Sequence, residues 1–131
     1  MFYIYEPAVK QLYKKITERN IMTLLIEKKC QVCESGGVPA LSHDNAKKLL
    51  KSVSADWKIN GNKITRIFEF KGFYKTMAFV NAVAWVANSE GHHPDLEVNF
   101  NKCTVNFITH AVDGLTENDF ICAAKVDALL S

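Results

Sequence analysis

The sequence predicts an α+β fold, in which one four-stranded antiparallel sheet has helices packed on one face. Two observations carry this prediction: pairs of β-type segments are joined by short turns, and helical segments stand before, between and after these pairs. The predicted order is therefore helix, two strands, helix, two strands and helix. A chain of 131 residues suits one domain with a core of its own.

The first helix and the first strand pair are marked by their ends. Ser42 is a typical N-cap residue, and apolar residues with helical spacing follow it, so a helix is predicted from Ser42 to near Ser54. The stretch NGN at 60–62 is a strong hairpin turn, and KITRIFEF at 63–70 is rich in β-branched and aromatic residues. Two antiparallel strands are predicted around that turn.

The central helix is predicted over residues 73–90, which contain no Pro or Gly and are rich in Ala, with Gly91 as the C-terminal stop. Between Met77 and Ala87 only Asn81 is polar. A helix that is apolar nearly all round must be covered on more than one side. We therefore expect a homo-oligomer, either a dimer or a tetramer, in which a second copy covers part of this helix.

The second strand pair follows from alternation, because LEVNFN and CTVNFITH place apolar residues on one face. A two-residue loop at 101–102 would pair Phe100 with Cys103, and the same register pairs Leu96 with Phe107 and Val98 with Val105. These six residues are expected on the core face. Extended further, the register places His93 opposite His110, with Cβ atoms about 5 Å apart.

The two ends of the chain carry weaker signals. Asp113-Gly114 marks a turn, and Thr116 with Asp119 three residues later opens a last helix, where Asp119 is read first as a capping acid. Residues 1–21 are expected to be a dispensable N-terminal extension, flexible or helical. Residues 22–131 are expected to form the single domain.

Charge and composition exclude several classes of protein. The chain has 16 Lys and Arg against 14 Asp and Glu, mixed along its length, so nothing favours binding to nucleic acid or to an anionic membrane. No apolar run approaches the roughly 18 residues of a membrane span, and no secretory signal is visible. Four cysteines are few for a disulfide scaffold, so a cytoplasmic location is expected.

The cysteines allow more than one interpretation. Cys30-x-x-Cys33 is consistent with a redox pair or with half a zinc site that has His43 as a distant ligand, but a plain pair of reduced thiols is preferred. Cys103 lies on the predicted core face and Cys122 in the last helix, so both are expected to be packing residues.

Three histidines form the candidate site: His92 and His93 between Gly91 and Pro94, and His110 after the last strand. Imidazole titrates near pH ~6.5, so such a cluster can offer both a proton donor and a proton acceptor. A zinc site and a purely structural cluster are the alternatives. Adjacent histidines with a distant third lack the spacing of helical zinc motifs, which favours acid/base chemistry.

These residues resemble the pterin-4a-carbinolamine dehydratase family over about residues 42–130. The matching features are Trp57, IxRxFxF at 64–70, HHPD at 92–95, the aromatic Phe100, Thr109-His110 and GLTENDF at 114–120. One departure is Asn88, because the family usually has an acidic residue four positions before the first histidine. The acidic residue Glu90 lies two positions before His92.

The resemblance implies dehydration of 4a-hydroxytetrahydropterin to quinonoid dihydropterin, which recycles the cofactor of aromatic amino acid hydroxylases. It implies that no metal and no cofactor take part. In this scheme His92 and His110 are the acid/base pair, and His93 positions the substrate and shares proton transfer. Pro94, Asp95 and Thr109 are implied as substrate-binding residues, with Asp119, Glu90 and Arg66 supporting the site.

A second role is also implied by the resemblance. Animal members of the family act as dimerisation cofactors of a homeodomain transcription factor through a helical surface. A protein-interaction role that does not require catalysis is therefore the alternative function, and the near-neutral charge argues against direct contact with DNA.

Overall fold

The computed structural model describes residues 6–32 and 37–131, without the side chains of residues 6 and 18–24. The four strands form one antiparallel sheet in the order β1-β2-β4-β3, so the predicted α+β class is confirmed. In chain order the elements are α1 (Glu6–Glu27), α2 (His43–Leu50), β1 (Lys58–Asn60), β2 (Lys63–Glu69), α3 (Phe73–Glu90), β3 (Asp95–Val98), β4 (Lys102–Phe107), a 3-10 turn (His110–Val112) and α4 (Glu117–Ala128).

The core lies between the helices and one face of the sheet. Ile64 and Phe68 of β2 face Phe107 and Cys103 of β4, and all four side chains are buried. Both α3 and α4 contact β4, and their apolar side chains complete the same core cluster. Because alternate residues of a strand point to opposite faces, the intervening polar residues lie on the open side of the sheet.

The local signals for element ends are confirmed in most places. Ser42 caps α2 by accepting a hydrogen bond from the Asn45 amide at 3.2 Å, although α2 ends at Leu50 and not near Ser54. Gly91 ends α3 in the left-handed conformation, with φ of 64°, where a residue with a Cβ atom is strained. Asp113 takes φ of 48° in the predicted turn.

The register predicted for the second hairpin is wrong. The structure pairs Leu96 with Val105 and Val98 with Cys103, so the ladder is displaced by two residues from the predicted one. The amide of Asn99 donates to the Lys102 carbonyl at 2.8 Å, which makes 100–101 the turn. Phe100 is therefore 70% exposed at that turn and is not a core residue. His93 and His110 are not cross-strand partners, because β3 begins only at Asp95.

Helix α1 is continuous across the predicted boundary between residues 21 and 22. Its side chains from Pro7 to Thr17 are exposed, whereas Leu25 is buried in the core next to α4. That residues 1–21 are dispensable for folding stays a prediction. Within the described residues, no helix is long and apolar enough to cross a membrane.

Candidate active site

A cavity of about 430 Å³ opens where the end of α3 meets the end of β4. This volume lies within the range of small-molecule sites. The three histidines of the predicted site all contribute to its wall, although the register used to bring His93 to His110 is wrong. The described residues that line it are Cys30, Gln31, Val32, Glu90, Gly91, His92, His93, Ile108, Thr109, His110 and Ala111.

His92 is fixed in the wall of the cavity by a buried carboxylate. Its Nε2 lies 2.7 Å from Oδ1 of Asp119, and the Asp119 side chain is fully buried. The other oxygen of Asp119 accepts hydrogen bonds from the Thr109 hydroxyl at 2.8 Å and from the Thr116 amide at 2.9 Å. A carboxylate only accepts hydrogen bonds, so Nε2 of His92 carries the hydrogen and Nδ1 is left as the proton acceptor.

Local sequence explains why Asp119 reaches His92. Thr116 and Asp119 form the predicted capping box of α4, which turns the carboxylate back toward the start of its own helix. The loop from Thr109 to Gly114 is closed by the Thr109 amide, which donates to the Gly114 carbonyl at 2.9 Å. The helix cap and the loop supply donors to one oxygen of Asp119, which fixes the carboxylate. Its other oxygen is then directed at His92, so the capping acid also orients this histidine.

His93 and His110 are exposed and stand at the mouth of the cavity. Nε2 of His110 lies 3.7 Å from Oδ2 of Asp95, and both side chains are mostly exposed, so this pair adds little stability. Pro94 and Asp95 are not among the described residues that line the cavity. Thr109 does line it, but its hydroxyl is buried in hydrogen bonds with Thr116 and Asp119.

Glu90 joins three parts of the chain beside the histidines. Its side chain is 4% exposed, pairs with Lys125 of α4, and accepts a hydrogen bond from the Cys30 amide at 2.9 Å. Burial alone would raise the pKa of Glu90. The hydrogen bonds from Lys125 and Cys30, with the charges of Lys125 and Lys29, outweigh burial and hold the pKa below its ordinary value of 4.5.

The lowered pKa of Glu90 predicts a pH-dependent contribution to stability. The charged carboxylate stabilises the fold above pH ~4.5, and this contribution is lost as the pH falls through the lowered pKa. Glu90→Gln is expected to reduce the free energy of unfolding at pH 7 by about 1–3 kcal/mol, and the difference from the unmodified chain should shrink toward pH ~3. Urea denaturation followed by circular dichroism at both pH values measures this.

The exposed Glu69 supplies the matched control for that measurement. It lies 3.7 Å from Lys102, and both side chains are at least half exposed, so Glu69→Gln should leave stability nearly unchanged. A difference between Glu90→Gln and the unmodified chain that stays constant from pH 7 to pH ~3 would contradict the assigned pKa shift.

Arg66 is placed away from the histidines, and Asn88 is exposed. The Arg66 guanidinium donates to Oδ1 of Asp127 at 2.6 Å and lies 4.3 Å from the centre of the Phe68 ring. Asp127 also accepts from the Trp57 ring nitrogen at 2.8 Å, so this cluster ties the sheet to the end of α4. Arg66 is not among the described residues that line the cavity.

Sequence reasoning did not find the contribution of the segment after α1. Cys30, Gln31 and Val32 form one wall of the cavity, and Asn118 of α4 holds this segment through its side-chain amide. The only sequence signal was the CQVC stretch itself, which carries no information about its distant partner. Cys33, the second cysteine of that stretch, lies outside the described residues. Cys103 and Cys122 are buried, as expected for packing residues.

The described residues offer little support for the zinc alternative. In the described part of the chain, no group of three or more His, Cys, Asp or Glu side chains is arranged to hold a metal ion. His43 lines a different cavity from the three histidines, and the scheme of Cys30, Cys33 and His43 stays untested because Cys33 lies outside the described residues.

A comparison with protein-family models decides the family. The model described as Pterin 4 alpha carbinolamine dehydratase matches residues 39–129, which is most of the chain. The chain belongs to this family. The pterin carbinolamine dehydratase family comprises hydro-lyases, and the resemblance inferred from the histidine spacing is confirmed.

Bacterial relatives support the same family. A Nitrosomonas eutropha protein named "Putative pterin-4-alpha-carbinolamine dehydratase" is 57% identical over 106 residues, covering 81% of this chain and 93% of that protein. A Legionella pneumophila protein of the same name is 55% identical over 108 residues, covering 81% and 95%. Among solved structures, a Brucella melitensis protein described as a transcriptional coactivator/pterin dehydratase has a TM-score of 0.66 and 29% identity, covering 71% of this chain and all of that one.

Proposed function

We propose that this member of the dehydratase family converts 4a-hydroxytetrahydropterin to quinonoid dihydropterin by histidine acid/base catalysis. The observation that carries the proposal is the buried pair of His92 and Asp119 in a cavity that His93 and His110 also line. Such a pair fixes the tautomer of an imidazole and stabilises its cation, which is what a proton acceptor requires.

The proposed reaction removes water in two proton movements. The neutral Nδ1 of His92 takes a proton from a ring N–H of the substrate, and Asp119 stabilises the imidazolium that forms. His110, as an imidazolium at the mouth of the cavity, protonates the departing hydroxyl, so that the C4a–O bond breaks and water leaves. After one turnover His92 carries one proton more and His110 one proton fewer. Proton exchange with solvent returns both histidines to their starting states.

The remaining residues are proposed to position the substrate and the catalytic groups. His93 stands exposed in the cavity wall and is proposed to contact the pterin and share proton transfer. Pro94 and Asp95 are proposed substrate-binding residues at the rim, where Asp95 also faces His110. Thr109 is proposed to act through Asp119, because its hydroxyl is engaged there. No metal or cofactor has a role in this mechanism.

The proposed cellular role is to recycle the pterin cofactor of an aromatic amino acid hydroxylase in the cytoplasm. The decisive experiment adds purified protein to chemically generated carbinolamine and follows its decay, with and without a chelator. Turnover that the chelator leaves unchanged is expected. Decay no faster than the uncatalysed reaction would reject the proposal, and turnover abolished by the chelator would replace the histidine mechanism with a metal-dependent one.

A protein-interaction role is the second candidate, and one feature of α3 favours it. Tyr74, Ala78, Asn81 and Trp85 lie on one side of this helix and are exposed, with Tyr74 at 88% and Trp85 at 74%. Exposed aromatic side chains at helical spacing are typical of a contact surface. We propose that this surface, the α3 stripe, joins copies of the chain into a homo-oligomer, and that a coactivator-like role would use a helical surface of this kind.

Trp85→Lys is expected to weaken this association, because a charged residue replaces a large aromatic contact. Light scattering after size-exclusion chromatography should give several chain masses for the unmodified protein and a lower mass for the variant. Ile67→Lys is the control, since Ile67 is 57% exposed on the face of β2 opposite the buried Ile64 and Phe68. A monomeric unmodified protein would contradict the prediction, as would a variant of unchanged mass.

A further inference from the structure

The segment of residues 30–32 is held against α4 and the end of α3. The Cys30 amide donates to Oε2 of Glu90 at 2.9 Å, and the Gln31 amide donates to Oδ1 of Asn118 at 3.0 Å. The side-chain amide of Asn118 in turn donates to the Gln31 carbonyl at 2.7 Å. These bonds fix the backbone of the segment where it forms a wall of the histidine cavity.

The fixed backbone brings two thiols together. Sγ of Cys30 lies 3.5 Å from Sγ of Cys122, although 91 residues separate the two cysteines in the sequence. Cys122 is fully buried within α4, whereas Cys30 is half-buried and lines the cavity. A disulfide requires about 2.05 Å between the sulfur atoms, so bond formation needs an approach of about 1.5 Å.

We propose that Cys30 and Cys122 are a redox-active thiol pair that a small-molecule disulfide converts to an intramolecular disulfide. The thiolate of Cys30 attacks the small molecule, releases one thiol and forms a mixed disulfide. Cys122 then displaces the second thiol as the Cys30–Cys122 bond forms. The small-molecule disulfide is reduced to two thiols, which carry the two electrons and the two protons that the cysteines lose.

Exposure sets the order of these two steps. The cavity gives a reagent access to Cys30, whereas Cys122 has no exposed surface. The hydrogen bond with Cys30, together with burial, raises the pKa of Cys122, so its thiol stays protonated in the reduced pair and does not compete with Cys30 for the reagent. The structure therefore assigns Cys30 as the attacking thiol and Cys122 as the resolving one.

Formation of the Cys30–Cys122 disulfide changes the shape of the cavity, and the expected effect on catalysis rests on the proposed function. Drawing the sulfur of Cys30 toward α4 moves part of the wall that faces His92 and His93. The imidazole of His92, the proposed proton acceptor, is held separately by Asp119. Oxidation is therefore expected to change KM for the carbinolamine by about threefold or more while kcat changes less.

The test is to treat the full chain with cystamine, block the remaining thiols in denaturant, and map the linked peptides by mass spectrometry. A Cys30–Cys122 link is expected in the unmodified protein, in Cys33→Ser and in Cys103→Ala, which removes a matched buried thiol on β4. The link should be absent from Cys122→Ala. A main product linking Cys30 to Cys33 would overturn the proposal, as would a mixed disulfide that persists on Cys30 beside a free Cys122, or no reaction.

Activity before and after treatment separates this proposal from the proposed function. Dithiothreitol should reverse the change in KM, and Cys122→Ala should show none. If the Cys30–Cys122 link forms but KM does not change, only the proposed effect of the disulfide on the cavity is overturned, and the thiol pair stands. Absence of dehydration in both redox forms would count against the proposed function, and the peptide map would still decide the thiol pair.

Discussion

Replacing His92 with Ala is expected to lower kcat for carbinolamine dehydration by about 10²–10⁴-fold, the usual contribution of one acid/base group. The loss follows because Nδ1 of His92 is the proposed proton acceptor and its ring is held by Asp119. KM should change less, since a missing proton acceptor affects the transition state more than substrate binding. Initial rates over a range of carbinolamine concentrations, corrected for the uncatalysed decay, measure both constants.

His110→Ala is expected to lower kcat by a similar factor, because it removes the proposed acid for the departing hydroxyl. The double variant should be little worse than either single one, as both groups serve the same transition state. The fourth histidine of the chain supplies the control. His43 is exposed at the start of α2, and His43→Ala should keep full activity. Full activity in the double variant would reject the histidine mechanism.

The placement of His92 and His93 between a helix end and a strand was predictable from local signals, but the hairpin register used to bring His110 to them was not. Gly91 and Pro94 fix the backbone around His92 and His93, and both act within a few residues. A register change that displaces one strand by two residues leaves every side chain on the same face of the sheet. The alternating pattern therefore fits the predicted and observed ladders equally well, and only the turn at 100–101 distinguishes them.

The contacts that complete the site join residues too distant in sequence for any local pattern to report. Asp119 is 27 residues from His92, and the Gln31 amide meets Asn118 across 87 residues. The sequence predicted the capping box of Thr116 and Asp119 because both groups lie within one helical turn. It favoured a capping role for Asp119 over a catalytic one, whereas the structure shows that the two oxygens of one carboxylate serve the cap and the imidazole together.

Because Asp119 serves both the helix cap and the imidazole, it determines which tautomer His92 adopts. Oδ2 of Asp119 already accepts from Thr109 and Thr116, so Oδ1 remains for the imidazole. The Nε2–H of His92 then points at the carboxylate, and Nδ1 is free to accept a proton. Any substitution that puts a donor at Oδ1 must reverse this tautomer or break the contact.

Asp119→Asn is expected to lower kcat by about 10²–10⁴-fold with little change in fold. The amide oxygen can keep the bonds from Thr109 and Thr116, which places the amide NH₂ against Nε2 of His92. His92 then accepts at Nε2 and carries its hydrogen on Nδ1, the wrong tautomer for the proposed proton transfer. ¹⁵N chemical shifts of the His92 ring, measured with the kinetics, should report the reversed tautomer.

Asp127→Asn is the matched control, because Asp127 is also a shielded carboxylate that accepts several hydrogen bonds, in this case from Ser54, Trp57 and Arg66. Losing its charge should lower the free energy of unfolding by about 1–3 kcal/mol and leave kcat near that of the unmodified protein. The contrast between the two variants separates a positioning role from stability. If Asp119→Asn kept both normal kcat and the original His92 tautomer, Asp119 would be only a helix cap, and the orientation of His92 would need another cause.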